Sequence, residues 1–191
     1  MRSPLTAALA AGLLLVSASG VAAQKAAVHK GFWVGAGIGV GSARLSCQIC
    51  QGNRGSGTSG YLRTGFTISP QMLVGLEGTV WYKTASEVDH MLTSLQGVFY
   101  FYPQANSGLY IKTGLGLAQY SAKDSEDKIS SQALAGSIGL GYEIRVSRSM
   151  SFVPYANFLG SAGADVRLND NIAGLAANTS LIQFGIGLTL H

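Results

Sequence analysis

Residues 181–190 alternate without a break: Ile182, Phe184, Ile186, Leu188 and Leu190 interleave with Gln183, Gly185, Gly187 and Thr189. In a β-strand successive side chains point to opposite faces, so this segment carries one wholly apolar face and one face of small and polar residues. A soluble sheet can show the same alternation. Here the pattern recurs from residue 32 onward, and that recurrence constrains the fold more than any other feature of the chain.

The N-terminus reads as an export signal. Arg2 supplies a short positive region, residues 5–16 are apolar, and Val21-Ala22-Ala23 is a small-residue cleavage site. The expected division is therefore a cleaved signal peptide over 1–23, a short periplasmic segment over 24–30 and a barrel domain over 31–191. The apolar run is too short for a membrane-spanning helix, which needs about 20 residues. The chain is apolar on average, with few charges and 26 glycines, a balance that suits apolar residues spread over strands. A formal charge of +4, with no Lys/Arg cluster interleaved with aromatics, gives no nucleic-acid footprint.

Eight strands are read, over 32–42, 60–68, 72–83, 91–102, 109–121, 132–146, 150–160 and 181–190. Their lengths are close to the roughly 9–11 residues of a tilted membrane strand. The connections alternate. Ser69-Pro70-Gln71 and Ser147-Arg148-Ser149 are tight turns and 103–108 is somewhat longer, whereas 43–59, 84–90, 122–131 and 161–179 read as long loops. Short turns on one side and long loops on the other are the rule for outer-membrane barrels. The expected fold is thus all-β, an eight-stranded antiparallel up-and-down transmembrane barrel with a packed polar lumen. Pro154 lies inside the seventh strand and predicts a bulge or local break. Inward glycines are expected to make room for Trp33, Tyr61, Trp81 and Tyr110.

Several segments carry a resemblance. Gly31-Phe32-Trp33-Val34-Gly35-Ala36-Gly37 opens the barrel, and Tyr100-Phe101-Tyr102-Pro103 precedes a turn. Lys112-Thr113-Gly114-Leu115-Gly116, Gly139-Leu140-Gly141-Tyr142-Glu143 and Pro154-Tyr155-Ala156-Asn157 follow. With the last strand, these resemble the outer-membrane β-barrel domain family of OmpA- and OmpX-like architecture. The resemblance implies a Gram-negative cell envelope and a bacterial outer-membrane location. It also implies outer-membrane lipid, lipopolysaccharide and the barrel assembly machinery as partners. Phe184, Ile186, Leu188, Leu190 and His191 resemble the C-terminal signal read by that machinery, with His191 where an aromatic usually stands.

Candidate functional residues fall into four groups. Arg63, Glu77, Lys83, Lys112, Glu143 and Arg145 occupy inward positions. Arg63 and Glu77 lie symmetrically about the 69–71 turn, and Lys112 and Glu143 about the 122–131 loop, so both are candidate salt-bridge pairs. They predict a plugged lumen, because eight strands leave an interior just filled by side chains. The alternative is a gated, porin-like narrow pore whose bridges swap partners. Cys47 and Cys50 are expected to form a loop disulfide in the oxidising periplasm, over a redox pair or half of a zinc site.

His29, His90 and His191 are far apart in sequence, and His90 lacks the His-x-Ser arrangement of lipid A deacylases, since Leu92 takes that place. A solvated histidine is the preferred reading over a catalytic triad. Asp124-Ser125-Glu126-Asp127 lacks the glycine-centred spacing of a calcium loop and reads as a solvated charge run. The expectation is a monomeric barrel with a structural or surface-interaction role through its loops. No catalytic residue, cofactor or metal is expected, and the surface ligand is unknown. A pore is the alternative function, and a lipid A-modifying hydrolase a more distant one.

Overall fold

The computed structural model describes residues 29–47, 54–85, 88–105, 107–123, 128–168 and 171–191. Nine β elements follow in order: β1 (Phe32–Cys47), β2 (Gly55–Ser69), β3 (Met72–Ala85), β4 (Val88–Phe101), β5 (Leu109–Lys123), β6 (Lys128–Tyr142), β7 (Ile144–Arg145), β8 (Met150–Leu168) and β9 (Asn171–Leu190). Sequential neighbours pair antiparallel, β1 pairs with β9, and β6 with β8, so the sheet closes. The two-residue β7 extends the line of β6 along the same edge of β8. The fold is a closed eight-stranded antiparallel up-and-down barrel.

Two faces follow from the period of two. Phe32, Ile38, Leu62, Leu95, Leu115, Leu134, Phe184 and Leu188 project outward and stay exposed around the whole circumference. An apolar band of this extent on a folded surface requires an apolar solvent, which a lipid bilayer supplies. The residues between them face the interior. Trp33, Trp81, Tyr100, Tyr102 and Tyr110 are fully buried there.

Bulk and absence of bulk are matched across this interior. A Cβ on Gly37 or Gly187 would collide with the Tyr61 ring, and one on Gly141 with Tyr110. Gly65 and Gly75 accommodate Trp33, and Gly41 accommodates Trp81. The large residues could not turn inward if these positions carried side chains.

The strands are longer than the alternation pattern indicates. The expected loops over 43–59, 84–90, 122–131 and 161–179 are instead largely paired hairpin arms. β1 remains in register with β9 as far as Cys47↔Ala177, and β8 stays paired with β9, through register shifts, as far as Leu168↔Asn171. Beyond the apolar belt the side chains lose their hydrophobic contrast, so the pattern that marks a strand fades while the backbone ladder continues. Two register shifts interrupt the β8 arm, at Asp165–Arg167 and at Ser161–Ala164, where Gly163 takes φ +73° and its N–H donates to Asn178 Oδ1 at 3.2 Å.

The expected sixth strand over 132–146 is broken at Glu143, between β6 and β7. Pro154 sits opposite the break. β8 itself runs straight through it, paired to Ile186 of β9, so the discontinuity falls on the partner strand. Proline has no N–H for a ladder on that side. The signal peptide, the start of the N-terminal segment and the acidic run at 124–127 lie outside the described residues, as does Cys50 and therefore the Cys47–Cys50 pairing.

Leu115→Arg, in the middle of the outward face of β5, is expected to destabilise the folded barrel in lipid by about 2–4 kcal/mol. Ser121→Arg, towards the far end of the same face, should cost about 0–1 kcal/mol. Urea unfolding of the refolded protein in vesicles checks both.

Candidate functional site

The barrel interior is layered. Nearest the chain termini lies an apolar and aromatic cluster of Trp33, Leu73, Val98, Tyr100, Tyr102, Tyr110 and Val153. Toward the hairpin tips lies a second, with Trp81, Leu92, Ala118, Tyr120, Leu159 and Leu181. Between and against them sit buried polar groups: Arg63, Glu77, Gln96, Lys112, Ser137, Asn157 and Gln183. The expected polar lumen is thus a polar layer bounded by two apolar ones.

Glu77 organises that layer. Its Oε1 accepts from Lys112 Nζ at 2.5 Å, and its Oε2 accepts from the Tyr100 hydroxyl at 2.9 Å. Arg63 is the register partner of Glu77, yet its guanidinium reaches elsewhere. It donates from one nitrogen to the Tyr100 and Tyr110 hydroxyls, each at 3.2 Å, and from the other to Thr189 Oγ1 at 2.8 Å. It also lies 4.9 Å from the Tyr61 ring centroid and 5.1 Å from that of Tyr100. Aromatic faces and phenol oxygens therefore take the place of a carboxylate around this cation. Tyr100 links the two halves by accepting from Arg63 and donating to Glu77.

Lys112 and Glu143 do not meet. The register places Lys112 opposite Gly139, because the hairpin that closes at Lys123↔Lys128 is centred earlier in the chain than a Lys112–Glu143 pair requires. Symmetry about an assumed loop gave the wrong pair. Lys112 instead reaches over β4 to Glu77, a contact between β5 and β3 that strand adjacency does not provide. Arg145 lies in β7, outside the polar layer, and donates to the carbonyls of Ser147 and Arg148 in the adjoining turn.

Glu143 belongs to a separate cluster at the terminal end. Its Oε1 accepts from the Tyr102 hydroxyl at 2.8 Å. Its Oε2 lies 3.1 Å from His29 Nε2 and 3.3 Å from His191 Nε2. His29 Nδ1 is 3.2 Å from the Pro70 carbonyl oxygen, and its ring packs on Tyr102 at 4.1 Å. The chain enters this corner because Gly31, at φ +71°, turns the N-terminal segment under the barrel mouth. His191 follows β9 directly, its N–H donating to the Ser149 carbonyl at 3.0 Å. The sequence reading set these histidines aside as unrelated. Only their common approach to an inward carboxylate relates them. The signal in the sequence was Glu143 itself, a carboxylate on an inward position beside a turn.

At the opposite mouth, Asp89 and His90 point to different faces of β4. Asp89 Oδ1 accepts from the Tyr82 and Thr84 hydroxyls at 2.8 Å each, which holds its carboxyl below the usual range. His90 Nδ1 contacts the Tyr120 hydroxyl at 2.9 Å. Partial burial, then the neighbouring Lys83 charge, push its pKa down. Cys47 ends β1, and the described part of the chain resumes at Arg54. Phe184, Ile186, Leu188 and Leu190 all lie on the outward face of β9 and are exposed.

A cavity of about 10 Å³ lies between Arg63, Glu77, Lys112, Asn157 and Gln183. That volume suits about one water molecule. Asn157 Oδ1 and Gln183 Nε2, which bound it, have no protein partner, so a water there would satisfy both.

The architecture resembles that of known outer-membrane proteins. Neisserial surface protein A superposes with a TM-score of 0.63 at 15% identity, covering 84% of this chain and 97% of that one. Ail, the attachment invasion locus protein of Yersinia pestis, superposes with a TM-score of 0.50 at 14% identity, covering 83% and 99%. No protein-family model and no curated protein matches the chain. At these identities the likeness establishes the outer-membrane barrel fold.

Two outcomes are expected from this geometry. Lys112→Met should lower stability by about 3–5 kcal/mol, since it strands a buried carboxylate, and adding Glu77→Gln should recover part of the loss. Urea midpoints of the single and double variants check this. The imidazole of His90 should titrate below its ordinary 6.5 in an NMR pH series, because burial opposes its charged form. The sign follows: a depressed folded pKa contributes stability above the unfolded value, lost as pH falls through the folded one. His90→Gln should remove that dependence.

Proposed function

We propose that this protein is a bacterial outer-membrane barrel with a structural and surface-interaction role, performed by hairpins that stand above the membrane. The observation that carries this reading is the length of the arms beside a filled lumen. β8 and β9 have 19 and 20 residues. A tilted strand needs only about 9–11 residues to cross the hydrocarbon. About half of this hairpin therefore extends past the bilayer, with a further rise on the order of 20 Å after tilt. The same mouth carries the β1–β2, β3–β4 and β5–β6 hairpin ends.

The chemistry of the arms fits that placement. Above the belt the outward face changes from aliphatic residues to Ser42, Arg44, Ser46 and Arg54. Arg54 donates to the Ser42 carbonyl at 2.9 Å and to Ser180 Oγ at 3.0 Å, which ties β2 across β1 to β9. Guanidinium groups among hydroxyls at a membrane edge suit the phosphates of lipopolysaccharide. In this reading the signal peptide at 1–23 exports the chain, and the assembly machinery reads the β9 terminus. The barrel is a monomer in the outer leaflet's lipopolysaccharide. We assign it no catalytic residue.

Planar-bilayer conductance of the refolded barrel, with Glu77→Gln beside wild type, tests the filled lumen. Both are expected to be electrically silent. Discrete openings that the substitution enlarges would overturn this reading in favour of a gated pore.

A further inference from the structure

We propose that His29, Glu143 and His191 form a binding site for a divalent transition-metal cation, zinc by preference, which ties the segment that leads into β1 to the residue that follows β9, beneath the barrel. Their ligand-type atoms all lie within 4.8 Å of one another, and His29 and Glu143 are buried. Two imidazoles and one carboxylate are a zinc donor set that leaves a fourth position for water.

The distances suit the ion. With zinc bonds of about 2.0–2.1 Å, ligand atoms on a tetrahedron are about 3.3 Å apart. Glu143 Oε2 stands 3.1 Å from His29 Nε2 and 3.3 Å from His191 Nε2. The two imidazoles need to approach each other by at most about 1.5 Å to complete that figure. His191 lies outside β9, which ends at Leu190, so its side chain can make this movement without disturbing a strand.

The proton accounting points the same way. The Pro70 oxygen can only accept, so His29 Nδ1 carries the hydrogen in their 3.2 Å contact. A neutral His29 then presents a bare lone pair on Nε2 to a carboxylate oxygen. Two acceptors at 3.1 Å repel unless a proton or a cation stands between them. Metal-ligating histidines are held in this way, with the remote N–H on a backbone carbonyl. The carboxylate has its own support, since Tyr102 donates to the other oxygen, Oε1, at 2.8 Å. The donors come from the N-terminal segment, the β6–β7 break and the C-terminus, and β1 and β9 form the closing seam. A cation here would fasten that seam at its open end.

The untagged mature chain, refolded and stripped with a chelator, tests the assignment by zinc titration calorimetry and by cobalt absorption spectroscopy. One zinc per barrel is expected, with a thermal unfolding midpoint that rises on metal addition. Cobalt should give the visible bands of a four-coordinate site. His29→Ala and His191→Ala should each weaken binding by more than about tenfold, while His90→Ala should leave it unchanged. If the wild-type barrel takes up no zinc and shows no cobalt bands, the cluster is a protonated hydrogen-bonded latch only and the proposal fails. It fails equally if the double variant His29→Ala/His191→Ala still binds, or if His90→Ala abolishes uptake. The cobalt spectrum of the wild type decides the matter even where a variant does not fold.

Discussion

Closure of the β1–β9 seam is the constraint on which everything else rests. In hydrocarbon an unpaired backbone N–H or C=O has no water to bond, so an open sheet edge cannot exist there. β1 and β9 meet this demand with a register unbroken from Val34↔Leu190 to Cys47↔Ala177. The other ladders run between consecutive strands, apart from the step across the β6–β7 break. The seam alone joins residues at opposite ends of the sequence. It brings the N-terminal segment beside the C-terminal residue, and so it creates the corner where His29 and His191 converge.

A barrel of eight strands has an interior only wide enough for side chains. That geometry, rather than any single interaction, explains why glycine and tyrosine alternate across the lumen. Trp33, Tyr61, Trp81 and Tyr110 each occupy volume that an opposing glycine gives up. The charges are then confined to what space remains, and burial requires that each find partners. Glu77 serves Lys112 and Tyr100 together, and Arg63 relies on phenol oxygens and aromatic faces. The filled lumen and the long arms belong to one design. In the function proposed above, a lumen occupied by side chains leaves the hairpins as the surface available to a partner.

The outward face and the fold could be read from the chain. Alternation in β1, β5 and β9 reports burial against an apolar medium residue by residue, because the period of a strand is a local property. The inward position of Arg63, Glu77, Lys112 and Glu143 followed from the same count. The strand ends could not be read, because above the belt the outward face turns polar while small residues such as Ala43 and Ala177 fill the inward one, so the contrast that marks a strand fades. The pairing of the lumen charges could not be read either. Lys112 bonds Glu77 over the intervening strand β4, not along a ladder, and a hairpin count sees only ladders.

A spacing of two along a strand is enough to read a closed membrane barrel, its lipid-facing side and the inward turn of Arg63, Glu77, Lys112 and Glu143, whereas Arg145, expected inward by the same count, lies against the adjoining turn. Tertiary structure alone decided which inward groups touch. Contacts across a lumen depend on shear, register and side-chain reach, and none of these is encoded in local period. His29, Glu143 and His191 are the clearest case: three residues separated by most of the chain, brought within hydrogen-bond distance only because the barrel closes.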